Sequence, residues 1–200
     1  MEETYTLQTL LRDLGWREPL AGAEGVLLGG VAIDSRRARP GDIFVALPGE
    51  RTDGHAYVEA AFHAGAAVAL VSSEVPGRPA VDLVTGGAPS QCVTPLAIRV
   101  PSTLAALQQA ARARREAYPA LRVIGVTGSV GKTTTKEATF AVLAQRYRVL
   151  RSAGNQNNEI GLPLTLFELT AEHERAVLEM GMYDLGEIAT LCEIARPQVG

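Results

Sequence analysis

The feature that most constrains this chain is a glycine-containing stretch that directly follows an apolar run. Residues 123–126 read Val-Ile-Gly-Val, residues 127–134 read Thr-Gly-Ser-Val-Gly-Lys-Thr-Thr, and a segment of helical period follows them. This order predicts a strand that turns through glycines into a helix N-terminus, where backbone N–H groups and the positive end of the helix dipole face one point. Such a point favours phosphate, so the sequence predicts a site for ATP or GTP.

Within this stretch, Lys132 adds a full positive charge, and the Thr133 hydroxyl can reach a magnesium ion. The strict phosphate-loop pattern requires a glycine at position 126, where this chain has valine, so only the compact form Thr-Gly-x-x-Gly-Lys-Thr is present. The alternative interpretation is a glycine-rich turn that binds no ligand. The residues predicted to bind the nucleotide are Gly128, Ser129, Val130, Gly131, Lys132, Thr133 and Thr134.

Glu179 ends a predicted apolar strand over residues 175–179. In a parallel sheet the carboxyl ends of the strands meet at the ligand crevice. An acid there can bind the magnesium held by Thr133, because Mg²⁺ prefers hard oxygen ligands. Thr133 and Glu179 are therefore the predicted Mg²⁺ ligands, and Lys132 and Glu179 are the predicted catalytic residues. The alternative for Glu179 is a solvated strand end.

Two further polar segments are candidate binding sites. Residues 154–163, Gly-Asn-Gln-Asn-Asn-Glu-Ile-Gly-Leu-Pro, precede a predicted helix over 163–171, and the amides of Asn157 and Asn158 suit a phosphate or a peptide carbonyl. The other interpretation is an asparagine-rich turn with a helix cap. Asp34, Ser35 and Arg36 form either a polar pocket for a phosphorylated group or a salt-bridged surface corner. The sequence shows no Ser/His/Asp or Cys/His constellation.

The order of predicted elements indicates an α/β fold with two domains. We expect a small N-terminal α/β domain over residues 1–100 and a parallel-sheet ATPase domain of the phosphate-loop type over 101–200, with a seam near 85–102, where proline and glycine are frequent. The second domain has a predicted strand over 122–127, a helix over 132–146 and a strand near 149–150. Residues 199–200 look like the start of another strand, so we expect this domain to be incomplete and the chain to be a fragment.

Composition excludes some classes of protein. The net charge of −3 argues against a nucleic-acid-binding surface. The acidic N-terminus lacks the basic start of a signal peptide, and no apolar run approaches the ~20 residues that cross a bilayer. The two cysteines, Cys92 and Cys192, are expected to be unpaired thiols in a reducing compartment. We therefore expect a cytoplasmic protein without membrane insertion.

Several motifs together resemble the Mur ligase family, whose members add amino acids to the cell-wall precursor. Residues 34–36, 40–49 and 51–55 are similar to the N-terminal domain of that family, and residues 127–134 are similar to its ATP loop. Residues 154–161, the run 179–181 and the run 186–188 resemble the branch that attaches D-alanyl-D-alanine to UDP-N-acetylmuramoyl-tripeptide. Two departures are Val130, where many members have asparagine, and Met-Tyr-Asp at 182–184, where Ala-Asn is more usual.

The resemblance implies an ATP-dependent, Mg²⁺-dependent ligase of peptidoglycan precursor synthesis that forms an amide through an acyl phosphate. It places Asp34, Ser35 and Arg36 near the uridine diphosphate, and Asn157 and Asn158 near the phosphates or the precursor. It also implies a monomer and a C-terminal domain beyond this chain, so this fragment alone is expected to be inactive.

Three alternatives stay open at this point. The first is the sister ligase, which adds a diamino acid as the third residue of the precursor peptide. The second is a phosphate-loop switch ATPase, although such proteins usually carry the strict glycine spacing and an aspartate at a strand end. The third is a binding module without catalytic activity.

Overall fold

The computed structural model describes residues 4–49, 52–182 and 184–200. The described part of the chain forms two compact units that divide between Ala110 and Ala111, inside a helix over Thr103–Glu116. The domain boundary predicted between residues 100 and 101 lies just before this helix. The two units are described separately below.

The N-terminal unit combines short helices with short strands. Thr6 caps the first helix by accepting the N–H of Thr9 at 3.2 Å, and Leu7, Leu10 and Leu11 on this helix are buried. The elements are α1 (Leu7–Asp13), β1 (Val31–Ala32), β2 (Ile43–Val45), α2 (Val58–His63), β3 (Val68–Val71), β4 (Ala80–Asp82), β5 (Leu96–Arg99) and the start of α3 (Thr103–Glu116). Single 3-10 turns occur at Ala23–Gly25, Ser35–Arg37 and Gly54–Tyr57.

The strands of this unit form one parallel sheet in the order β1-β2-β3-β5-β4. In one row across the sheet, Val45 pairs with Leu70, Leu70 with Ile98, and Ile98 with Val81, and all four side chains are buried. A parallel sheet is covered on both faces, which is why its strands read as apolar runs. The predicted α/β class is confirmed.

Strand β5 corrects one expectation. The segment 85–102 was predicted to be a seam between domains, but Leu96–Arg99 is an interior strand that pairs with both β3 and β4. The strand is short and stands between Pro95 and Pro101, so the local composition indicated a loop. Proline is tolerated at the edge of a strand, and pairing on both sides decides the conformation here.

One hydrophobic cluster of this unit is built from small side chains around two phenylalanines, Phe44 and Phe62. Phe44 is fully buried, and the small alanine side chains around it allow α2 to pack against the sheet. The cluster comprises Ala32, Phe44, Ala46, Val58, Ala61, Phe62, Ala66, Ala69, Val71 and Ala97.

The C-terminal unit has the strand–helix alternation that was predicted. After the end of α3 come β6 (Arg122–Val126), α4 (Lys132–Leu143), β7 (Val149–Arg151), α5 (Gly161–Phe167), β8 (Arg175–Glu179) and α6 (Glu187–Ala195). The strands are parallel in the order β6-β8-β7. Val199 makes a parallel bridge to Ile124 of β6, where a further strand was expected to begin. No helix in the described ranges is long and apolar enough to cross a membrane.

A buried arginine near the end of α3 forms hydrogen bonds with three backbone carbonyls of this unit. The Arg115 side chain is 5% exposed and donates to the carbonyl oxygens of Ala195, Tyr118 and Leu121 at 3.1, 2.9 and 3.1 Å. The three carbonyls lie at or beyond the ends of regular elements, where ladder bonds are incomplete, although that of Tyr118 also accepts the N–H of Leu121 at 3.1 Å. The rigid fork of the guanidinium reaches all three.

We predict that Arg115→Met lowers the free energy of unfolding by about 3 kcal/mol, because buried carbonyls lose their donors. Urea unfolding followed by circular dichroism measures the change. Arg112→Met on the same helix is the control, since Arg112 is exposed and pairs with the exposed Glu116 one turn later; we expect it to change stability by less than about 0.5 kcal/mol. Equal effects of the two substitutions would contradict this role.

Candidate functional site

The loop between β6 and α4 exposes its backbone. Residues 127–131 are all exposed, and Gly131 precedes the first residue of α4, Lys132. Gly128 and Gly131 have φ angles of +136° and +82°, a region that glycine enters without strain. The Lys132 ammonium folds back and donates to the carbonyl oxygen of Gly128 at 2.7 Å. The first N–H groups of α4 and one lysine are thus available to an anion.

Glu179 lies at the base of this loop. It pairs in register with Val126, the last residue of β6, which places its carboxylate beside the start of the loop. Its Oε2 accepts the hydroxyl proton of Thr133 at 3.0 Å, and its Oε1 accepts from Nδ2 of Asn157 at 2.9 Å. Glu179 is 3% exposed, so the carboxylate is not a solvated strand end.

The donor set suits a magnesium ion that binds together with a nucleotide. Thr133 and Glu179 offer one hydroxyl and one carboxylate, both hard oxygen donors. Mg²⁺ is usually held by one or two carboxylates plus substrate phosphates and water, and not by a cage of protein ligands. The described residues contain no group of three or more His, Cys, Asp or Glu side chains that could hold a metal ion.

Lys136 belongs to this site and was not predicted. It lies four residues after Lys132 on α4, and its side chain is 1% exposed. Its ammonium lies 3.6 Å from Oε2 of Glu179 and donates to the carbonyl oxygen of Ser152 at 3.0 Å. The available signal was the spacing: residues three and four apart share a helix face, and Lys136 follows Thr133 by three.

The asparagine-rich segment contributes one side chain to this cluster and not the other. Asn157 bonds Glu179, whereas Oδ1 of Asn158 accepts the N–H of Gly161 at 2.8 Å at the start of α5. Asn158 therefore acts as a helix cap in this structure. The backbone also fixes Asn157: its carbonyl accepts the N–H of Gly181 at 2.7 Å, and a Cβ on Gly181 would lie 3.1 Å from the Asn157 side chain.

The predicted binding residues of the N-terminal unit form a surface corner in this structure. Arg36 bonds Asp34 through two nitrogens, at 2.9 and 2.6 Å, and its side chain is 87% exposed. The hydrogen bonds from Arg36 lower the pKa of Asp34 to about 2. Ser35 is buried at the start of the 3-10 turn. A ligand that bound Arg36 would therefore compete with Asp34.

A second polar arrangement connects residues that the sequence analysis did not group. Nδ1 of His55 lies 2.6 Å from Asp53, and Nε2 lies 2.8 Å from the backbone nitrogen and 3.1 Å from the hydroxyl of Ser72. Because the Ser72 N–H donates to Nε2, the proton of the neutral ring lies on Nδ1 and faces Asp53. Because one of these bonds comes from the backbone N–H of Ser72, the contacts hold the segment around Asp53 and His55 against the end of β3.

His55 also lines an open cavity of about 570 Å³ in the same unit. The charged side chains along this cavity are Glu59, Glu74 and Arg78, and Arg78 pairs with Glu59. Neither Asp34, Ser35 nor Arg36 lines it. Arg51, in one of the family motifs, and Tyr183, in the Met-Tyr-Asp run, lie outside the described residues.

Comparison with protein families assigns both parts of the chain. Residues 28–115 match the model of the Mur ligase family, catalytic domain, and residues 126–200 match the Mur ligase middle domain. The chain therefore belongs to the Mur ligase family, as its motifs predicted.

Individual relatives point to one branch of that family. A UDP-N-acetylmuramoyl-tripeptide--D-alanyl-D-alanine ligase from Bacillus subtilis (strain 168) is 46% identical over 174 residues, which cover 87% of this chain and 35% of the relative. The crystal structure of MurF from Acinetobacter baumannii superposes with a TM-score of 0.79 at 33% identity, over 98% of this chain and 40% of that one. MurF ligase from Thermotoga maritima in complex with ADP gives a TM-score of 0.71 at 33% identity, over 84% and 36% of the two chains.

The chain spans a little over a third of the length of the curated relative from Bacillus subtilis. The catalytic-domain model matches mainly residues of the N-terminal unit, and the middle-domain model matches residues of the C-terminal unit.

The Asp34–Arg36 pair gives a prediction that can be measured directly. In Arg36→Met we expect the pKa of Asp34 to rise from about 2 toward its ordinary value of 3.8, because its largest stabilising hydrogen bond is lost. The carboxyl carbon shift of Asp34, titrated by NMR, reports this change. Arg37→Met is the control, since Arg37 acts on Asp34 only through a weaker charge interaction. A wild-type Asp34 that titrates near 3.8 would show that the pair does not form in solution.

Proposed function

We propose that the full-length protein is an ATP-dependent ligase that joins D-alanyl-D-alanine to UDP-N-acetylmuramoyl-tripeptide. The observation that carries the proposal is the cluster at the loop: Lys132 donates to the carbonyl oxygen of Gly128 at 2.7 Å, and the Thr133 hydroxyl lies 3.0 Å from the Glu179 carboxylate at the base of the loop. The name of the relative from Bacillus subtilis supports the substrate, and the ADP complex of the Thermotoga maritima relative supports the nucleotide.

The proposed reaction has two steps that need no general base at the start. The terminal carboxylate of the tripeptide attacks the γ-phosphorus of ATP, the bond to the β-phosphate oxygen breaks, and ADP leaves. The amine of D-alanyl-D-alanine then attacks the acyl carbon, phosphate leaves, and the ammonium loses a proton as the amide forms. A carboxylate is already a nucleophile, so catalysis of the first step consists of positioning and charge stabilisation.

The residues of the C-terminal unit match that requirement. The exposed amides of residues 128–133 and the dipole of α4 would hold the phosphate oxygens, and Lys132 would exchange the Gly128 carbonyl for the transferred phosphoryl group. Thr133 and Glu179 would hold Mg²⁺, with Asn157 fixing the second carboxylate oxygen. Bound Mg²⁺ would neutralise charge on the phosphate oxygens.

The N-terminal unit is the proposed holder of the uridine diphosphate end of the precursor. Asp34, Ser35 and Arg36 are the proposed contacts, with Arg36 as the charged donor for a diphosphate. The exposure of Arg36 supports this role, because its guanidinium is accessible to a ligand. Asn158 is the weaker candidate for a precursor contact, since its side chain already caps α5. The protein is further proposed to work as a cytoplasmic monomer.

Phosphate release by the full-length protein tests the substrate assignment. We expect release only with ATP, UDP-N-acetylmuramoyl-tripeptide and D-alanyl-D-alanine together. The matched arm uses the precursor dipeptide with a diamino acid, the substrates of the sister ligase. Turnover in that arm alone would overturn the assignment. Turnover of ATP without any acceptor would indicate a switch ATPase instead.

Lys132→Ala tests the role of the loop. We expect it to reduce ATP-dependent turnover of the full-length protein by at least about 100-fold, because a charge that stabilises the transferred phosphoryl group is removed, while the thermal unfolding curve stays unchanged. Arg146→Ala is the control: it also removes one positive charge, but Arg146 is exposed beyond the end of α4. Unchanged turnover in Lys132→Ala would reject the assigned role.

A further inference from the structure

The cation beside the proposed metal ligand is unusually well enclosed. The Lys136 side chain is 1% exposed, and its ammonium donates to the carbonyl oxygens of Ser152 at 3.0 Å and Gly154 at 3.4 Å. Two acids lie near the remaining N–H: Oε1 of Glu137 is 3.4 Å and Oε2 of Glu179 is 3.6 Å from the ammonium nitrogen. Lys136 is therefore fixed in place before any ligand arrives.

Ser152 makes the arrangement rigid. Its carbonyl accepts from Lys136, while its hydroxyl accepts the backbone N–H of Glu179 at 3.1 Å, and Ser152 is 1% exposed. The lysine and the glutamate are thus held by the same residue at the end of β7. Neither can shift far without breaking a buried hydrogen bond.

Two acids lie within 4 Å of the Lys136 ammonium, Glu137 and Glu179, and they differ in burial. Oε1 of Glu137 lies 3.4 Å from the ammonium, but Glu137 is half-exposed and also pairs with Arg151. Glu179 is the buried acid, with its side chain 4% exposed. A buried carboxylate is costly unless a cation compensates its charge, and Lys136 supplies that cation.

We propose that Lys136 is a positioning residue that balances the charge of Glu179 in the nucleotide-free protein, so that a divalent cation binds with the nucleotide and not before it. The inference rests on the proposed function. An ammonium beside Oε2 repels a divalent cation that approaches the same oxygen. The phosphate oxygens of ATP add the negative charge that offsets this repulsion, so metal and nucleotide enter together.

Lys136 does not act as a second phosphate ligand. Its ammonium is enclosed, and two of its three donors are used by carbonyl oxygens. Lys132, one turn earlier, differs in two ways. Its side chain is partly exposed, and its ammonium donates to the carbonyl oxygen of Gly128 in the loop over residues 127–131. The two lysines of the chain therefore have separate roles.

Titration of Mn²⁺ into the full-length protein tests the proposal, with free Mn²⁺ measured by its electron paramagnetic resonance signal. The titration is run without nucleotide and with a non-hydrolysable ATP analogue. We expect Lys136→Met to bind Mn²⁺ in the nucleotide-free arm at least about tenfold more tightly than the wild type, because the repelling charge is gone. A purely structural role for Lys136 would lower stability without raising this affinity.

Two variants show whether the gain acts through Glu179. The double variant Lys136→Met/Glu179→Gln should lose it, because the carboxylate is removed with its partner. Arg146→Met should leave the nucleotide-free affinity at the wild-type value, since Arg146 is exposed beyond the end of α4 and its substitution removes the same single charge away from Glu179. The double variant also removes both members of the buried pair, so it provides a folded reference by circular dichroism.

The outcomes separate this inference from the proposed function. A folded Lys136→Met protein without a gain overturns the inference. If that variant does not fold, the wild type still provides a test. The inference is overturned if the wild type binds Mn²⁺ as tightly without nucleotide as with the analogue, and if this binding is lost in Glu179→Gln. Absence of Mn²⁺ binding to the wild type with the analogue would instead contradict the proposed function.

Discussion

The carboxylate of Glu179 is the contact on which the candidate site depends. It is buried at the end of β8, and its two oxygens bond Thr133 on α4 and Asn157 in the loop before α5. A buried carboxylate must be fully hydrogen-bonded to be tolerated, so each partner is required by the others. The Glu179 side chain thereby connects the sheet with the first turn of α4 and with the asparagine-rich segment.

The parallel sheet explains why these groups meet. Val126 and Glu179 are in register, so the chain leaves β6 and β8 at the same edge. The loop over residues 127–131 follows the first strand, and Gly181 follows the second, where an added Cβ would lie as close as 3.1 Å to the Asn157 side chain. Backbone geometry therefore sets the position of the site, and side chains set its charge.

The sequence was sufficient for the fold class, for β6, β8 and the start of α4, and for the proximity of Thr133 and Glu179. The rule that strand ends gather at one edge predicts that proximity, whereas the role of the two residues as metal ligands stays a prediction. Lys136 was missed although its spacing of three from Thr133 places both on one helix face, because the spacing does not show which strand residues that face meets. Strand β5 was not predicted, because the flanking prolines gave no strand signal and its conformation depends on pairing with β3 and β4.

The chemistry of the two buried cations supports different roles for them. Arg115 spreads its charge over a planar fork that satisfies three carbonyl oxygens of the fold. Lys136 concentrates its charge on one compact ammonium, which fits between two carbonyls and a carboxylate. The ammonium is a compact point charge that fits a narrow enclosure, whereas the guanidinium is a planar fork with five donors. In a chain whose basic residues are nearly all arginine, the proposed role of Lys136 therefore accounts for a lysine beside Glu179.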